Sequence, residues 1–121
     1  MTRHTNWYVI TGAPCSGKTT VICELERMGY RVVHEAARAY IDSQLQKGRS
    51  MDNIRGNALE MQQAILCQKL KNEAHLPDTE LIFLDRGIPD SIAYYHLSGL
   101  NAEEPVKHSR AVHYKKIFFF E

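Results

Sequence analysis

The sequence predicts an α/β fold: a doubly wound parallel sheet of four strands in the order 2-3-1-4, with helices on both faces. Short β-rich runs alternate with stretches of helical periodicity, and this alternation is typical of parallel βαβ units. Residues 81–84 are apolar at every position, as expected for a strand that helices cover on both sides. The 121 residues suffice for one hydrophobic core but not for two. We therefore expect a single domain over residues 1–121.

The first half of the chain contains two predicted strands, each followed by a helix. Residues 7–10 read as a buried strand. From Gly17 the apolar side chains recur at helical spacing, and Gly29 stands where a helix commonly ends. Residues 31–34 are the second strand. A second helix follows it, with apolar residues four apart, and ends at Gly48.

The second half of the chain contains two further strands and three helices. The longest helix shows an apolar stripe, and Pro77 follows it. The next helix begins near Pro89, because proline is tolerated in the first turn of a helix. The elements expected here are, in order, a helix over 52–74, a strand over 81–84, a helix over 89–99, a weaker polar helix over 101–113 and a strand over 117–120.

Between the first strand and the first helix lies a motif that binds phosphate. Residues 12–19 match the pattern G-x-x-x-x-G-K-S/T in full. Glycines at both ends let backbone N–H groups converge on phosphate oxygens, and the helix adds its positive dipole end. The alternative is a glycine turn before an ordinary helix. The expected nucleotide-binding residues are Gly12, Ala13, Pro14, Cys15, Ser16, Gly17, Lys18, Thr19 and Thr20.

The motif predicts ATP as ligand and Mg²⁺ as its cofactor, in a fold of the P-loop NTPase type. Lys18 is expected to reach the outer phosphates, and the Thr19 hydroxyl to bind Mg²⁺. The chain contains no Asn-Lys-x-Asp sequence, the guanine-reading motif of classical GTPases. This disfavours a GTPase, although the choice between ATP and GTP stays open.

Two charged residues directly follow the third strand, at the sheet edge where α/β proteins bind ligands. Asp85 can hold Mg²⁺ or orient a phosphate acceptor; alternatively, it caps the next helix. Hydrolytic P-loop ATPases commonly place a glutamate after this aspartate to activate water. Here Arg86 follows, and a cation suits holding a phosphate or a carboxylate.

A third candidate carboxylate follows the second strand, near the predicted phosphate-binding loop. Glu35 can accept the proton of an attacking hydroxyl. Arg38 lies one helical turn further and can contact an anionic substrate. The alternative for this pair is an i, i+3 ion pair on a solvated helix face.

These segments resemble a known family, the small P-loop kinase-like ATPase domains that include the nicotinamide riboside kinase domain of bifunctional NAD regulators. The resemblance rests on residues 11–20, on Glu-Ala-Ala-Arg within 30–38 and on Asp-Arg-Gly-x-Pro-Asp within 84–91. More distantly, the chain is similar to thymidylate and deoxynucleoside kinases. The similarity to these kinases implies Glu35 as the base and Arg86 as a contact to the acceptor or the phosphate. With the motif and the sheet-edge residues, the expected catalytic residues are Lys18, Glu35, Asp85 and Arg86, the substrate contacts Glu35, Arg38, Arg86 and Asp90, and the metal ligands Thr19 and Asp85.

The predicted function is ATP- and Mg²⁺-dependent phosphoryl transfer to a hydroxyl of a small molecule, for example a nucleoside. Two alternatives stay open: a nucleotide-binding regulatory module without kinase activity, and an inactive truncated paralogue. Members of the resembled family usually continue into an arginine-bearing lid and a fifth strand. We expect the chain that ends at Glu121 to lack both.

Composition and charge bear on location and partners. The net charge of +1 argues against a nucleic-acid-binding or lipid-binding surface. Neither a membrane-spanning run nor a secretory signal is recognisable, so the cytoplasm is the expected location. The fourth strand is expected at an edge of the sheet and contains three consecutive phenylalanines. We therefore expect self-association through this carboxyl-terminal strand.

Overall fold

The computed structural model describes residues 2–13 and 16–121, over which strands and helices alternate. The strands are β1 (Arg3–His4), β2 (Trp7–Gly12), β3 (Arg31–Val33), β4 (Ile82–Asp85), β5 (Val112–His113) and β6 (Lys116–Phe120). The helices are α1 (Lys18–Arg27), α2 (Ala36–Gln46), α3 (Met51–Gly56), α4 (Ala58–Ala74), α5 (Ile88–Leu97) and α6 (Glu103–Ser109). No helix among the described residues is long and apolar enough to cross a membrane.

The main sheet is parallel and has the order β3-β4-β2-β6. Numbering only these four strands along the chain gives 2-3-1-4, so the predicted order and the α/β class are confirmed. Val9 in the central strand β2 pairs with Leu84 of β4 on one side and with Ile117 of β6 on the other. Because all four strands run in the same direction, the segments that follow β2, β3 and β4 emerge at one edge of the sheet.

A second, two-stranded sheet was not predicted. It pairs β1 with β5 in parallel, and the Arg3 N–H donates to the Ala111 carbonyl at 2.8 Å. The helix expected over 101–113 is therefore wrong in its last part, since α6 ends at Ser109. A pairing of two residues leaves no periodicity in the sequence, because side-chain alternation needs four or more residues to be recognised.

The single helix expected over 52–74 is also wrong, since the chain forms α3 and α4 with a break at Asn57. The Asn57 backbone has φ −110° and ψ 63°, outside the helical range, and its side-chain amide donates to the Asn53 carbonyl at 2.7 Å. Asparagine competes in this way with the helical backbone, and the preceding Gly56 weakens the helix further. The apolar periodicity continues across the break and conceals it.

Two clusters of buried side chains form the hydrophobic core. The first joins the central strands to the segment before β6 and includes Trp7, which is fully buried. The second joins α4 and α5 through Leu66, Ile88 and Tyr95. Burial of one such aliphatic side chain contributes about 1.5–3 kcal/mol relative to exposure. The second cluster fixes α5, and thereby the turn between β4 and α5, against α4.

Helix α4 also buries two charged side chains. Burial lowers the pKa of Lys69 to about 8 and raises the pKa of Glu73 to about 7. Lys69 Nζ donates to the Gly87 carbonyl and to Ser91 Oγ, while Glu73 accepts a hydrogen bond from the Tyr114 hydroxyl. These bonds connect α4 to the start of α5 and to the segment before β6.

Strand β6 forms an edge of the main sheet and, within the described chain, pairs with β2 alone. Its side chains are exposed to 54% at Ile117, 43% at Phe118 and 69% at Phe119. Phe118 stacks on Tyr8 with ring centroids 6.2 Å apart. The strand thus combines free backbone hydrogen-bonding groups with exposed apolar side chains, a combination that favours association.

We expect the chain of 121 residues to self-associate through β6 at micromolar concentration. Phe119→Lys should reduce association, because it places a charge on the exposed apolar edge. Leu97→Lys is the matched control, since Leu97 is 82% exposed but lies at the end of α5. Multi-angle light scattering measures the mass. A monomeric chain, or equal association of both variants, would contradict this expectation.

Candidate functional site

The predicted phosphate-binding loop begins where β2 ends against β6. Gly12 has φ 145°, and a side chain there would overlap the Phe120 carbonyl, so only glycine fits. The Ala13 N–H donates to that same carbonyl at 3.3 Å. At the other end of the loop, Gly17 with φ 90° precedes α1. Pro14 and Cys15 lie outside the described residues.

A cavity of about 520 Å³ opens at the amino end of α1. It brings the loop together with two residues that follow other strands, Glu35 after β3 and Arg86 after β4. Thr19 and Thr20 are exposed to it, and Lys18 is buried in its wall. The lining residues are Ala13, Ser16, Gly17, Lys18, Thr19, Thr20, Glu35, Arg86 and Tyr94.

Lys18 connects the loop to the carboxyl ends of two strands. Its ammonium donates a hydrogen bond to Asp85 Oδ1 and lies 4.0 Å from Glu35 Oε2. Lys18 is 7% exposed, and the Asp85 side chain is 11% exposed. Removal of one partner from such a buried ion pair typically costs about 3–5 kcal/mol. The Asp85 carboxylate therefore pairs with Lys18. The alternative, in which Asp85 caps α5, is not observed, since Gly87 is the N-cap of that helix.

Arg86 has a left-handed backbone, with φ 66°, and is the one non-glycine residue with positive φ among those described. Such a conformation costs on the order of 1–3 kcal/mol and persists where the surroundings fix it. Its N–H donates to the Ile10 carbonyl at 2.9 Å. Its guanidinium donates to Thr11 Oγ1 at 3.1 Å and to the Gly12 carbonyl at 2.9 Å. Arg86 thus ties the turn after β4 to the start of the phosphate-binding loop.

The Arg86 guanidinium also faces the cavity. Its Nε lies 3.4 Å from Glu35 Oε1, and its Cζ lies 5.7 Å from the centre of the Tyr94 ring. Burial raises the pKa of the Tyr94 hydroxyl. Two buried polar atoms in this wall, Arg86 Nε and Ser16 Oγ, have no hydrogen-bond partner among the described residues. Both can donate, so the cavity fits a ligand that carries acceptor oxygens, such as a phosphate.

A second cavity of about 200 Å³ adjoins the first, away from the loop. The two share Glu35, Arg86 and Tyr94 in their walls, so the Glu35 carboxylate stands at their junction. The remaining wall comes from α2 and α4 and is mainly apolar. Its residues are Ala37, Ile41, Met61, Gln62, Ile65 and Lys69.

Two of the expected substrate contacts lie elsewhere. Arg38 is exposed and lines neither of the two cavities, and Glu35 faces Lys18 and Arg86 instead of Arg38. The Asp90 carboxylate accepts hydrogen bonds from Thr11 Oγ1 and, at 2.7 Å, from the N–H of the residue that caps α5. Asp90 therefore lines neither cavity and instead holds Thr11 and the start of α5 in place.

Sequence reasoning missed the apolar residues of the second cavity and three polar residues of the cavity walls. Tyr94 lies eight residues after Arg86 on α5, and a helical projection from Asp90 can place it on the site-facing side. Gln62 and Lys69 lie on α4, and their position depends on how α4 packs against α2 and α5. No local signal in the sequence reveals that packing.

The donor set fits Mg²⁺. The Thr19 hydroxyl on the cavity wall and the Asp85 carboxylate are hard oxygen ligands, and Mg²⁺ is commonly held by one or two carboxylates together with phosphates and water. Among residues 2–13 and 16–121 no group of three or more His, Cys, Asp or Glu side chains is placed to hold a metal.

Two comparisons with known proteins gave matches. A family model described as "AAA domain" matches residues 7–121. The crystal structure of TT1252 from Thermus thermophilus is similar at 19% sequence identity and a TM-score of 0.44, and the match covers 98% of this chain and 90% of that one. No curated protein matches the sequence. The P-loop NTPase fold expected from the sequence is confirmed, and because the family model spans nearly the whole chain, the protein belongs to the AAA domain family.

Proposed function

We propose that the protein transfers the γ-phosphoryl group of ATP, with Mg²⁺, to a hydroxyl of a small molecule. The observation that carries this proposal is the junction of the two cavities at Glu35 and Arg86. One cavity is lined by the phosphate-binding loop and the other by α2 and α4. A phosphate donor and a hydroxyl acceptor can therefore meet at one carboxylate and one guanidinium.

The donor side supplies positive charge and fixed N–H groups for the phosphates. The loop and the amino end of α1 would hold the inner phosphates, and Lys18 the outer ones. The Arg86 guanidinium, fixed by Thr11 and Gly12, faces the position where charge develops on the transferred group. Phosphoryl transfer needs mainly positioning and charge neutralisation, which these residues provide.

Thr19 and Asp85 would hold Mg²⁺ on the loop side of the junction. When bound, the ion neutralises phosphate charge and orients the phosphates for in-line attack. Asp85 is paired with Lys18 and lies at the end of β4, so its direction is fixed by the sheet. Replacing its carboxylate therefore affects both the lysine and the metal.

Glu35 is positioned to act as the general base. Its carboxylate lies between the cavities and accepts the proton of the acceptor hydroxyl as the oxygen–phosphorus bond forms and ADP leaves. The Arg86 guanidinium, whose Nε lies 3.4 Å away, orients the carboxylate. The side chain is 29% exposed, so it stays accessible from both cavities.

The smaller cavity suits a compact acceptor. Ile41, Met61 and Ile65 give it apolar walls, and Gln62 adds an amide that can both donate and accept. A ring of nucleobase size fits this combination. The resemblance to nicotinamide riboside kinases makes nicotinamide riboside the first acceptor to test, and thymidine the second. Arg38, exposed at the start of α2, stays a candidate contact for an anionic part of the substrate.

Lys18→Ala should weaken ADP binding at least about tenfold in the presence of Mg²⁺, because it removes from the cavity wall the ammonium that would contact the outer phosphates. Isothermal titration calorimetry measures the affinity. Lys47→Ala is the control, since Lys47 is exposed at the end of α2. Equal affinities of Lys18→Ala and the wild type would contradict nucleotide binding at this loop.

Glu35→Gln should slow phosphoryl transfer by a factor on the order of 10²–10⁴ and leave ADP affinity nearly unchanged, because the base acts only in the chemical step. Asp85→Asn should raise the Mg²⁺ concentration needed for half-maximal rate. The assay follows transfer from ATP to nicotinamide riboside and to thymidine. Asp42→Asn, an exposed carboxylate on α2, is the control.

Normal turnover by Glu35→Gln would refute its role as the base. A wild-type chain that binds Mg²⁺ and ATP tightly and phosphorylates no acceptor would favour the regulatory module. These outcomes are distinct, since binding and transfer are measured separately.

A further inference from the structure

The peptide group between Gly87 and Ile88 is bonded at both of its polar atoms by buried side chains. Its carbonyl oxygen accepts a hydrogen bond from Lys69 Nζ at 3.1 Å. Its N–H donates to the Tyr114 hydroxyl at 3.3 Å. That hydroxyl in turn donates its own proton to Glu73 Oε2 at 2.9 Å. One peptide group is thus held, directly on one side and through tyrosine on the other, by two ionisable residues.

Both of these residues come from α4. Lys69 and Glu73 lie four positions apart, so they project from the same helix face, and they are only 6% and 5% exposed. Tyr114 is 7% exposed. Two of the three N–H groups of the Lys69 ammonium are used, one by the peptide and one by Ser91 Oγ. Because water has little access, a lost hydrogen bond here is not readily replaced by solvent.

This peptide group lies one peptide unit beyond Arg86, whose left-handed backbone needs support from its surroundings. On the amino side, the Arg86 N–H is bonded to the Ile10 carbonyl in β2. On the carboxyl side, the Gly87 N–H donates to Asp90 Oδ2 at 2.7 Å, and Lys69 and Glu73 hold the next peptide group. Between these two fixed points, the guanidinium is directed towards Thr11, Gly12 and the junction of the cavities.

We propose that Lys69 and Glu73 are positioning residues for Arg86: through the Gly87–Ile88 peptide and the Tyr114 hydroxyl, they hold its backbone and thereby direct its guanidinium to the junction. The consequence for catalysis rests on the proposed function, whereas the positioning is a property of the fold. Helix α4 thus serves the site twice, since it lines the second cavity and also fixes the guanidinium that both cavities share.

Three variants remove this support while they keep most of the apolar volume. Lys69→Met removes the donor to the carbonyl, Tyr114→Phe removes the hydroxyl, and Glu73→Leu removes the acceptor at the end of the relay. Glu73→Gln is the conservative rescue, because an amide oxygen can still accept from Tyr114. Ile54→Val controls for a general loss of stability, since Ile54 is a fully buried residue of α3.

The exchange rate of the Arg86 Nε–H, measured by NMR, reports directly on how firmly the guanidinium is held. Arg86 Nε–H is buried, lies 3.4 Å from Glu35 Oε1 and makes no hydrogen bond within the described residues, so its exchange rate depends on where the guanidinium is held. The Trp7 indole N–H, bonded to the Pro77 carbonyl at 2.9 Å, is the internal reference for global opening. In the three variants the Arg86 signal should exchange at least about tenfold faster while Trp7 changes less than about twofold.

Glu73→Gln and Ile54→Val should leave the exchange at Arg86 close to that of the wild type. Equal acceleration at Arg86 and Trp7 would show general destabilisation and overturn the proposal. Unchanged exchange at Arg86 in the three variants would also overturn it.

A double-mutant cycle tests the catalytic consequence with nicotinamide riboside or thymidine as acceptor. Lys69→Met should lower kcat at least about tenfold with little change in the Kd for ADP, and should have no further effect in an Arg86→Gln background. If the losses in kcat of the two single variants multiply in the double variant, Lys69 acts independently of Arg86, and the proposal is wrong. Absence of transfer by the wild type would contradict the proposed function, while the exchange measurement would still decide the positioning role.

Discussion

The candidate site depends on one interaction, the hydrogen bonds from the Arg86 guanidinium to Thr11 and to the Gly12 carbonyl. They join the carboxyl ends of two adjacent strands, β4 and β2, at the point where the phosphate-binding loop begins. They also bring a buried cation to the junction of the cavities, where Glu35 faces it. The interaction requires a left-handed backbone at a non-glycine residue, and the neighbouring elements supply the hydrogen bonds that hold it.

Charge compensation explains why so many ionisable groups can be buried together. Lys18 and Arg86 face the carboxylates of Glu35, Asp85 and Asp90. Each of these two cations therefore has an opposite charge nearby, which offsets the cost of removing it from water. Phosphates that enter the cavity would compete with Asp85 and Glu35 for the same cations. If a nucleotide binds, Lys18 and Arg86 would exchange carboxylate partners for phosphate oxygens. Both cations would therefore keep a negatively charged partner.

Features that follow from short segments were predictable from the sequence, and features that depend on packing were not. The loop from Gly12 and the charged residues after strands β3 and β4 are local signals, and the parallel topology brings their segments to one sheet edge. The break at Asn57 escaped prediction because the apolar periodicity continues across it. The positions of Gln62 and Lys69 in the cavity wall were not predicted, because they depend on how α4 packs against α2 and α5. The pairing of β1 with β5 is too short to leave a pattern.

The central claim is that donor and acceptor occupy the two joined cavities at the same time. Calorimetry with a compound that links adenosine to nicotinamide riboside through a polyphosphate chain tests it most directly. Because one molecule would fill both cavities, it should bind at least about tenfold more tightly than ADP, and Met61→Trp, which fills the second cavity, should abolish the gain. An affinity no better than that of ADP, or a gain that survives Met61→Trp, would contradict the account.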